Sequence, residues 1–477
     1  MSSAFAEDTP ATPSTRRVQI RFRLDMTLLV SGQGKSAGGA VWRIAAAASV
    51  GTFFDYYDVF LAASAASLVW PAVFFSGLGA SAAIGLSLGA FGLNFVVRPL
   101  GAAIFGHYGD KLGRKRVVVW TLLVSALGTI GIAALPSSSL IGWYAPFLLY
   151  VFRLVYGLGL GGEWGGAVSW VVEAAPESRR RGLLTGLIQT AAPLAGVMSS
   201  LSFAVVLLLP HAEFLAWGWR ILFALGSVIA LVGFVIRKKL SETPMFLELL
   251  ETRKASRSPV AESVSRFGRR IAESIGAILY LFTFFAFFSV PYALTFMIAK
   301  GIPVATSNLL FTGSLAVGTL ACFAGSVLSD RLGRKKVVEL SAILGVVMTY
   351  PWIVLVGSGN AMEALLGLTL MTSSLEIGNG AVGALLAESF PTSSRYTSSG
   401  IAYSIAGTLG GFFSGFLLPL LIGGLGVAGA IVPGAVTCAI VGAVSLMLLA
   451  LMKETKSVGL ALDADPLLQE QPKSASK

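Results

Sequence analysis

The sequence predicts an all-α membrane protein of twelve transmembrane helices in two pseudo-symmetric six-helix bundles. Three observations predict it. First, 55% of the residues are hydrophobic and only 12% charged, whereas a soluble chain usually carries about 25% charge. Second, apolar runs recur from residue 42 to residue 452, each near the length of about 20 residues that crosses a hydrocarbon core about 30 Å thick. Third, the chain repeats itself: GDKLGRKR, around Asp110, returns as SDRLGRKK around Asp330.

Each element follows in order. Residues 1–40 are rich in Ser, Thr, Pro and Gly with scattered Arg, and no apolar core follows the first charges. They read as a disordered cytoplasmic tail rather than a secretory signal. An N-terminal bundle over 41–236 holds spans at 42–70, 81–107, 117–136, 144–174, 184–209 and 217–236. A polar cytoplasmic loop covers 237–270. A C-terminal bundle over 271–452 holds spans at 271–299, 306–329, 337–357, 363–388, 400–422 and 428–452, and a cytoplasmic tail covers 453–477. Pro193 and Pro291 are placed to kink the fifth and seventh spans.

Charge sets the orientation. With the N-terminus inside, nearly all Lys and Arg fall on the cytoplasmic side; only Arg220 and Lys300 fall outside, and Arg98 and Arg153 lie within spans. Both termini are therefore expected in the cytoplasm of a multi-pass inner or plasma membrane protein. The net charge of +11 comes in short clusters between apolar runs, which is a topological pattern and not a nucleic-acid-binding face.

Other classes lack their residues. Cys322 and Cys438 both lie in apolar stretches, and His107 and His211 are the two histidines. No metal spacing and no Ser–His–Asp set follows from these, so neither a metal, a cofactor nor an enzymatic activity is expected. The tails are too short for a signalling domain, which weighs against a transporter-like substrate sensor. GLGLGG at 157–162 formally contains GxGxxG, yet it lies inside a span without a preceding strand. Close helix packing through Gly157, Gly161 and Gly165 explains it better.

Ionisable groups inside spans are costly and point to function. Asp55 and Asp58 share a face of span one; Arg98 lies in span two, Arg153 and Glu163 in span four, and Glu376 in span ten. Depth along the helices groups Asp58 with Arg153, and Arg98 with Glu163, as two expected ion pairs. Asp55 falls between them. Two Arg against four carboxyl groups leave acids that need protons in at least one state, which is the chemistry of a proton-coupled carrier. Gln189, Thr190, Tyr292, Asn379 and Tyr403 lie at mid-depth and are candidates to line a substrate cavity.

The repeated loops extend to the ends of the fourth span in each half. Glu173, Pro176 and Arg180 recur as Glu388, Pro391 and Arg395. Two such halves joined by a polar linker form a parallel-repeat carrier with a central site.

The loop GHYGDKLGRKR, from Gly106 to Arg116, resembles the signature loop of the major facilitator superfamily. Its second copy has Ser326 where Gly is expected. GTFFDYYDVF, VVRPLGAAIFGHYGD, GLGLGGEWGGA, WGWRILF, LSETPMF and AESFPTSSRYTSSG resemble the metabolite:proton symporter family. That family includes carriers of shikimate, oxoglutarate, citrate and compatible solutes. Asp55, where the family more often has Glu, and Tyr156, where it often has Gln, are departures.

The resemblance implies a major facilitator fold and symport of a small polar metabolite with protons by alternating access. An organic acid is the first expectation; a zwitterion or sugar, moved by symport or facilitated diffusion, is the alternative. By similarity to sugar carriers, in which a first-helix Asp faces a fourth-helix Arg, Asp58 is the expected proton acceptor and Arg153 its modulator. From charge and depth alone, Asp55 is a further proton-coupling candidate able to switch partners, and Glu376 is either a protonation site or a water-facing gate residue. The motif residues Gly106, Asp110, Gly113 and Arg114, with Glu173 and Arg180, are expected to form a cytoplasmic charge relay. Asp330, Gly333, Arg334, Glu388 and Arg395 form its second copy. A monomer in the bilayer is expected.

Overall fold

The computed structural model describes residues 34–176, 178–252, 256–288, 292–412, 417–460, 462 and 466–467. Residues Met1–Arg43 form one unit and Ile44–Lys477 a second; the architecture below is that of the second. The tail expected over 1–40 lies mostly outside the described residues, but residues 34–40 already belong to the first helix.

Among the described residues, twelve long helices follow in chain order: α1 (Gly34–Leu68), α2 (Ala80–Leu112), α3 (Arg114–Ala134), α4 (Tyr144–Ala174), α5 (Arg181–Val206) and α6 (Trp219–Lys238), then α7 (Pro259–Phe288), α8 (Val304–Leu332), α9 (Arg334–Gly357), α10 (Ala361–Glu388), α11 (Arg395–Phe412) and α12 (Ile431–Leu451). Shorter helices, among them Pro244–Glu251, Tyr292–Ala299 and Leu418–Gly429, fill the connections. Among the described residues, nine helical segments are long and apolar enough to cross a membrane. The helices outside that set are α1, α10 and α11, which carry Asp55, Asp58, Glu376 and many Ser and Thr. Their polarity is tolerated because α10 and α11 are buried along most of their length, away from lipid.

Packing repeats between the halves. α4 packs on α2 and α3, as α10 packs on α8 and α9. α3 packs on α6, as α9 packs on α12. Across the halves, α2 packs on α11 and α8 on α5. The glycines of α4 permit these approaches. A Cβ on Gly157 would come within 2.7 Å of the Asn94 backbone, and one on Gly165 within 2.7 Å of Gly400. Small residues at helix crossings let backbones touch where lipid supplies no hydrophobic drive.

A second boundary differs from expectation. α7 starts at Pro259, inside the stretch expected to be a polar loop. Pro suits a first helical turn, and the segment is amphipathic: Ser263, Phe267 and Ile271 are buried, while Arg266 and Arg269 face outward. Pro193 lies within α5, and Pro291 lies outside the described residues.

Candidate functional site

The basic end of the bundle holds a duplicated charge network. α2 and α8 stop at Gly113 and Gly333, whose φ angles of 111° and 121° suit glycine alone. The chain then turns directly into α3 and α9, whose first residues are Arg114 and Arg334. Arg114 lies 3.0 Å from Asp110 and 2.9 Å from Glu173; Arg334 lies 3.0 Å from Asp330 and 3.2 Å from Glu388. Each arginine also donates to the backbone carbonyl five residues before it, Gly109 and Ser329, at 2.9 Å.

These clusters bridge the two halves. Asp110 accepts hydrogen bonds from Tyr396 N at 3.3 Å and Thr397 N at 2.9 Å, at the start of α11. Asp330 accepts from Gly182 N and Leu183 N, both at 2.9 Å, at the start of α5. A carboxylate on the free N–H groups of a helix start is favourable both as a cap and against the macrodipole. Arg395 then lies 2.9 Å from Glu173, and Arg181 lies 2.8 Å from Glu388. So each glutamate takes an arginine from its own half and one from the other.

This corrects one expectation. Arg180 is exposed and outside the network; its neighbour Arg181 is buried within it. The cause is helical register: Arg181 and Arg395 are each the first residue of their helices, although the Glu–Pro–Arg spacing aligns Arg395 with Arg180. Gly106 meets the same seam, where a Cβ would come within 2.7 Å of the Thr397 backbone.

A further repeat completes the network. Glu242 and Thr243 follow α6; Glu454 and Thr455 follow α12. Glu242 accepts from Lys115 N at 3.2 Å, and Glu454 from Arg334 N at 2.8 Å. The Thr243 hydroxyl donates to Glu173 at 3.0 Å, and the Thr455 hydroxyl to Glu388 at 2.7 Å. Burial pushes the Glu242 carboxyl above its usual range; the Thr243 N–H, the Arg114 charge and the Lys115 N–H oppose that rise.

The middle of the molecule is built differently. Arg153 Nη1 lies 2.7 Å from Asp58 Oδ2, with both side chains fully buried. The other carboxylate oxygen of Asp58 accepts from the Thr129 hydroxyl at 2.8 Å, and the guanidinium lies over the Tyr156 ring at 4.6 Å. The expected Arg98–Glu163 pair does not form. Glu163 is held by Arg237, at 2.6 Å and 2.9 Å to its two oxygens, and by Thr121 at 3.0 Å. Arg237 stands in the last turn of α6, where sequence alone assigns it to the topological charges. Its stem instead turns inward, donating also to Ala47 O and Ala48 O at 3.1 and 2.9 Å. A Cβ on Gly51 would collide with Arg237 and Glu163, so the glycine opens the path.

Among the described residues, Arg98 and Asp55 are left without ion pairs. Arg98 is buried, lies over the Tyr403 ring at 5.3 Å, and has Nε and Nη2 without hydrogen-bond partners. Asp55 is buried with Oδ1 unpartnered. Its backbone carbonyl accepts from the Tyr156 hydroxyl at 2.5 Å.

A polar chain then crosses between the halves. The Tyr56 and Tyr403 hydroxyls are 2.8 Å apart. Trp164 stacks on Tyr403 with ring centroids 3.7 Å apart. Trp164 Nε1 donates to Gln189 Oε1, and Gln189 Nε2 to Asn379 Oδ1, each at 2.6 Å. Asn379 Nδ2 donates to Glu376 Oε2 at 3.0 Å.

Of the five cavity candidates, Gln189, Asn379 and Tyr403 meet in this chain. Thr190 bonds its own helix at Gly186 O, 2.7 Å away. Tyr292 sits elsewhere, donating to Val427 O at 2.7 Å within an aromatic group of Phe287, Phe296 and Trp352. Stacking on these three rings, with its hydroxyl satisfied by a backbone carbonyl, holds it in the aromatic cluster. Sequence reasoning missed Tyr56, Trp164, Arg181, Arg237 and the two Glu–Thr pairs. The Glu–Thr pairs were visible as ET in LSETPMF and in MKETKSV.

A duplicated six-helix unit with paired charge clusters at one end and buried charges in its middle defines a membrane carrier of the two-bundle type. The family model described as Major Facilitator Superfamily matches residues 48–415, and the chain belongs to that superfamily of membrane transporters. It is 34% identical over 376 residues to "Inner membrane metabolite transport protein YhjE" of Escherichia coli (strain K12), covering 77% of this chain and 85% of that protein. It is 31% identical over 396 residues to the "Citrate-proton symporter" of Klebsiella pneumoniae, covering 81% and 87% respectively. The solved structure of the proton:xylose symporter XylE bound to 6-bromo-6-deoxy-D-glucose shares the fold, with a TM-score of 0.70 at 18% identity, covering 91% of this chain and 100% of that one.

Proposed function

We propose that this transporter is a proton-coupled symporter of a small organic acid, working as a monomer with both termini in the cytoplasm. The halves 41–236 and 271–452 rock about a central site, and the basic-end network opens and closes as they do.

The observation that carries this reading is a mismatch of buried charge. Four carboxyl groups, Asp55, Asp58, Glu163 and Glu376, are buried in the helices with three guanidiniums, Arg98, Arg153 and Arg237, and two ion pairs are formed. Unpaired charge in low dielectric is costly. Protons that join and leave the carboxyl groups as the halves move remove that cost and couple the two fluxes. Asp58 and Arg153 hold the pair best placed to exchange: breaking it on one side of the cycle frees Asp58 to take a proton, and remaking it expels the proton. Glu376, at the far end of the polar chain, is a further proton site in the other half. The acid substrate is supported by kinship with a protein named for citrate–proton symport.

The test is uptake into proteoliposomes of purified protein, using radiolabelled citrate, succinate and shikimate. An inward proton gradient is expected to drive accumulation of at least one acid. Asp58→Asn is expected to abolish accumulation while keeping exchange of internal for external substrate. Equal uptake with and without the gradient would reduce the protein to a facilitator.

A further inference from the structure

Among the buried arginines, Arg98 stands apart. Arg153 is matched by Asp58 at 2.7 Å and Arg237 by Glu163 at 2.6 Å. Arg98 is 2% exposed and makes no ion pair among the described residues; Nε and Nη2 are without hydrogen-bond partners in Arg98 and Arg153 alike, so the missing carboxylate is what sets Arg98 apart. Its neighbours are the Tyr56 hydroxyl, which hydrogen-bonds it, the Tyr403 ring and hydroxyl, and the Asp55 carboxyl, which acts on it without closing an ion pair. Asn94 lies one turn away on the same face of α2, fully buried, and neither its amide nitrogen nor its amide oxygen has a partner. A guanidinium and an amide, both desolvated and both short of acceptors, are rare outside places that receive an anion.

The position fits as well. The Arg98 guanidinium lies against α11 of the other half, over the Tyr403 ring and near Gly407, where a Cβ would be 3.5 Å from Nη1. Tyr403 is stacked by Trp164 and met edge-on by Phe282, at 3.7 and 5.1 Å between centroids. Arg98 therefore sits at the seam the halves share, beside the aromatic group that begins the polar chain across it.

We propose that Arg98, with Asn94 behind it, is the anchor for the carboxylate of the transported acid. The planar fork of the guanidinium matches a carboxylate with two parallel hydrogen bonds. The Asn94 amide adds a donor for a carboxylate oxygen and an acceptor for a substrate hydroxyl. Arg153 and Arg237 are occupied by protein carboxylates, so the anion and the Asp58–Arg153 pair use separate groups. The proposal rests on the organic-acid reading above.

The experiment is calorimetric binding to detergent-purified full-length protein, with citrate, succinate and benzoate, each against its methyl ester, and with glycine betaine and xylose. Gradient-driven uptake is measured in parallel. At least one acid is expected to bind in preference to its ester. Arg98→Gln is expected to weaken that acid about 10- to 150-fold, the range for a hydrogen bond to a charged group. Arg98→Lys, which keeps the charge but loses the fork, guards against misfolding and is expected to fall between the two. Asn94→Ala is expected to raise KM for the acid with little change in kcat. An acid that binds Arg98→Gln as tightly as wild type overturns the anchor, and symport stands if the gradient still drives uptake. Binding of glycine betaine or xylose with no acid bound, or no acid bound at all, overturns the anchor and the acid reading together.

Discussion

The basic end of this molecule is built twice, and its middle is built once. At the basic end every part has a counterpart: Asp110 and Asp330, Arg114 and Arg334, Glu173 and Glu388, Arg395 and Arg181, Thr243 and Thr455. At mid-depth the first half holds Asp55, Asp58, Arg98, Arg153, Glu163 and Arg237, and the second half holds Glu376. Duplication suits a lock, because two halves that rotate against each other must be fastened from both sides. Chemistry needs no such symmetry.

The comparison is tested most severely at the glutamates. Glu173 and Glu388 each join two arginines out of water. Removing one partner of a buried pair costs about 3–5 kcal/mol, because the remaining charges lose their match. Glu173→Gln and Glu388→Gln are therefore expected to release the basic end by similar amounts. Spin labels at exposed Arg180 and Lys336, placed after replacing Cys322 and Cys438, would report the opening as a longer distance. A large opening for one variant and none for the other would break the symmetry argument.

The middle is expected to respond unequally. Glu163→Gln strands Arg237 among backbone carbonyls and should lower stability, again by about 3–5 kcal/mol, read as a large fall in melting temperature. Glu376 has Asn379 as its neutral partner and no ion pair among the described residues, so Glu376→Gln keeps a hydrogen-bonding group and leaves no described cation unmatched. Its melting temperature is expected to stay near that of wild type, while proton-driven accumulation falls. A melting loss as large as that of Glu163→Gln would mean that Glu376 is a structural group.

The difference between the two regions also explains what was legible in the sequence. The gate could be read because duplication prints it twice: Asp110 and Arg114 were recognisable from Asp330 and Arg334. Asp58 with Arg153 could be read because both lie within spans at similar depth. Arg98 with Glu163 was misassigned because depth along a helix says nothing about a long side chain entering from its end. Arg237 does so through the path left by Gly51. Arg181 was missed because a one-residue shift of helix start is invisible to motif spacing. Tyr56 and Trp164 were missed because an aromatic ring in a span looks like packing until its partner across the halves is known.

A smaller effect sharpens the gate repeat. Each Thr hydroxyl of the two Glu–Thr pairs donates one hydrogen bond to an already paired glutamate. Loss of a hydrogen bond to a charged group costs about 1.5–3 kcal/mol. Thr243→Val and Thr455→Val should therefore open the basic end by matching amounts, each less than Glu173→Gln. If Thr455→Val alone acts, the segment after α12 carries a role that its counterpart after α6 lacks.

The finest test is a pH slope at Glu242. Burial raises the folded-state pKa of Glu242 above the ordinary value of 4.5. A raised folded pKa means that this group favours the folded state below the unfolded pKa and that the contribution is withdrawn as pH rises through the folded value. Wild type should therefore lose melting temperature relative to Glu242→Gln as pH rises from about 4 to about 7, in a thermal-shift titration. The change belongs to one carboxyl group outside the membrane spans, so it should be smaller than that of either Thr variant. A relative gain with rising pH would mean that the Lys115 and Thr243 N–H groups and the Arg114 charge outweigh burial at this site.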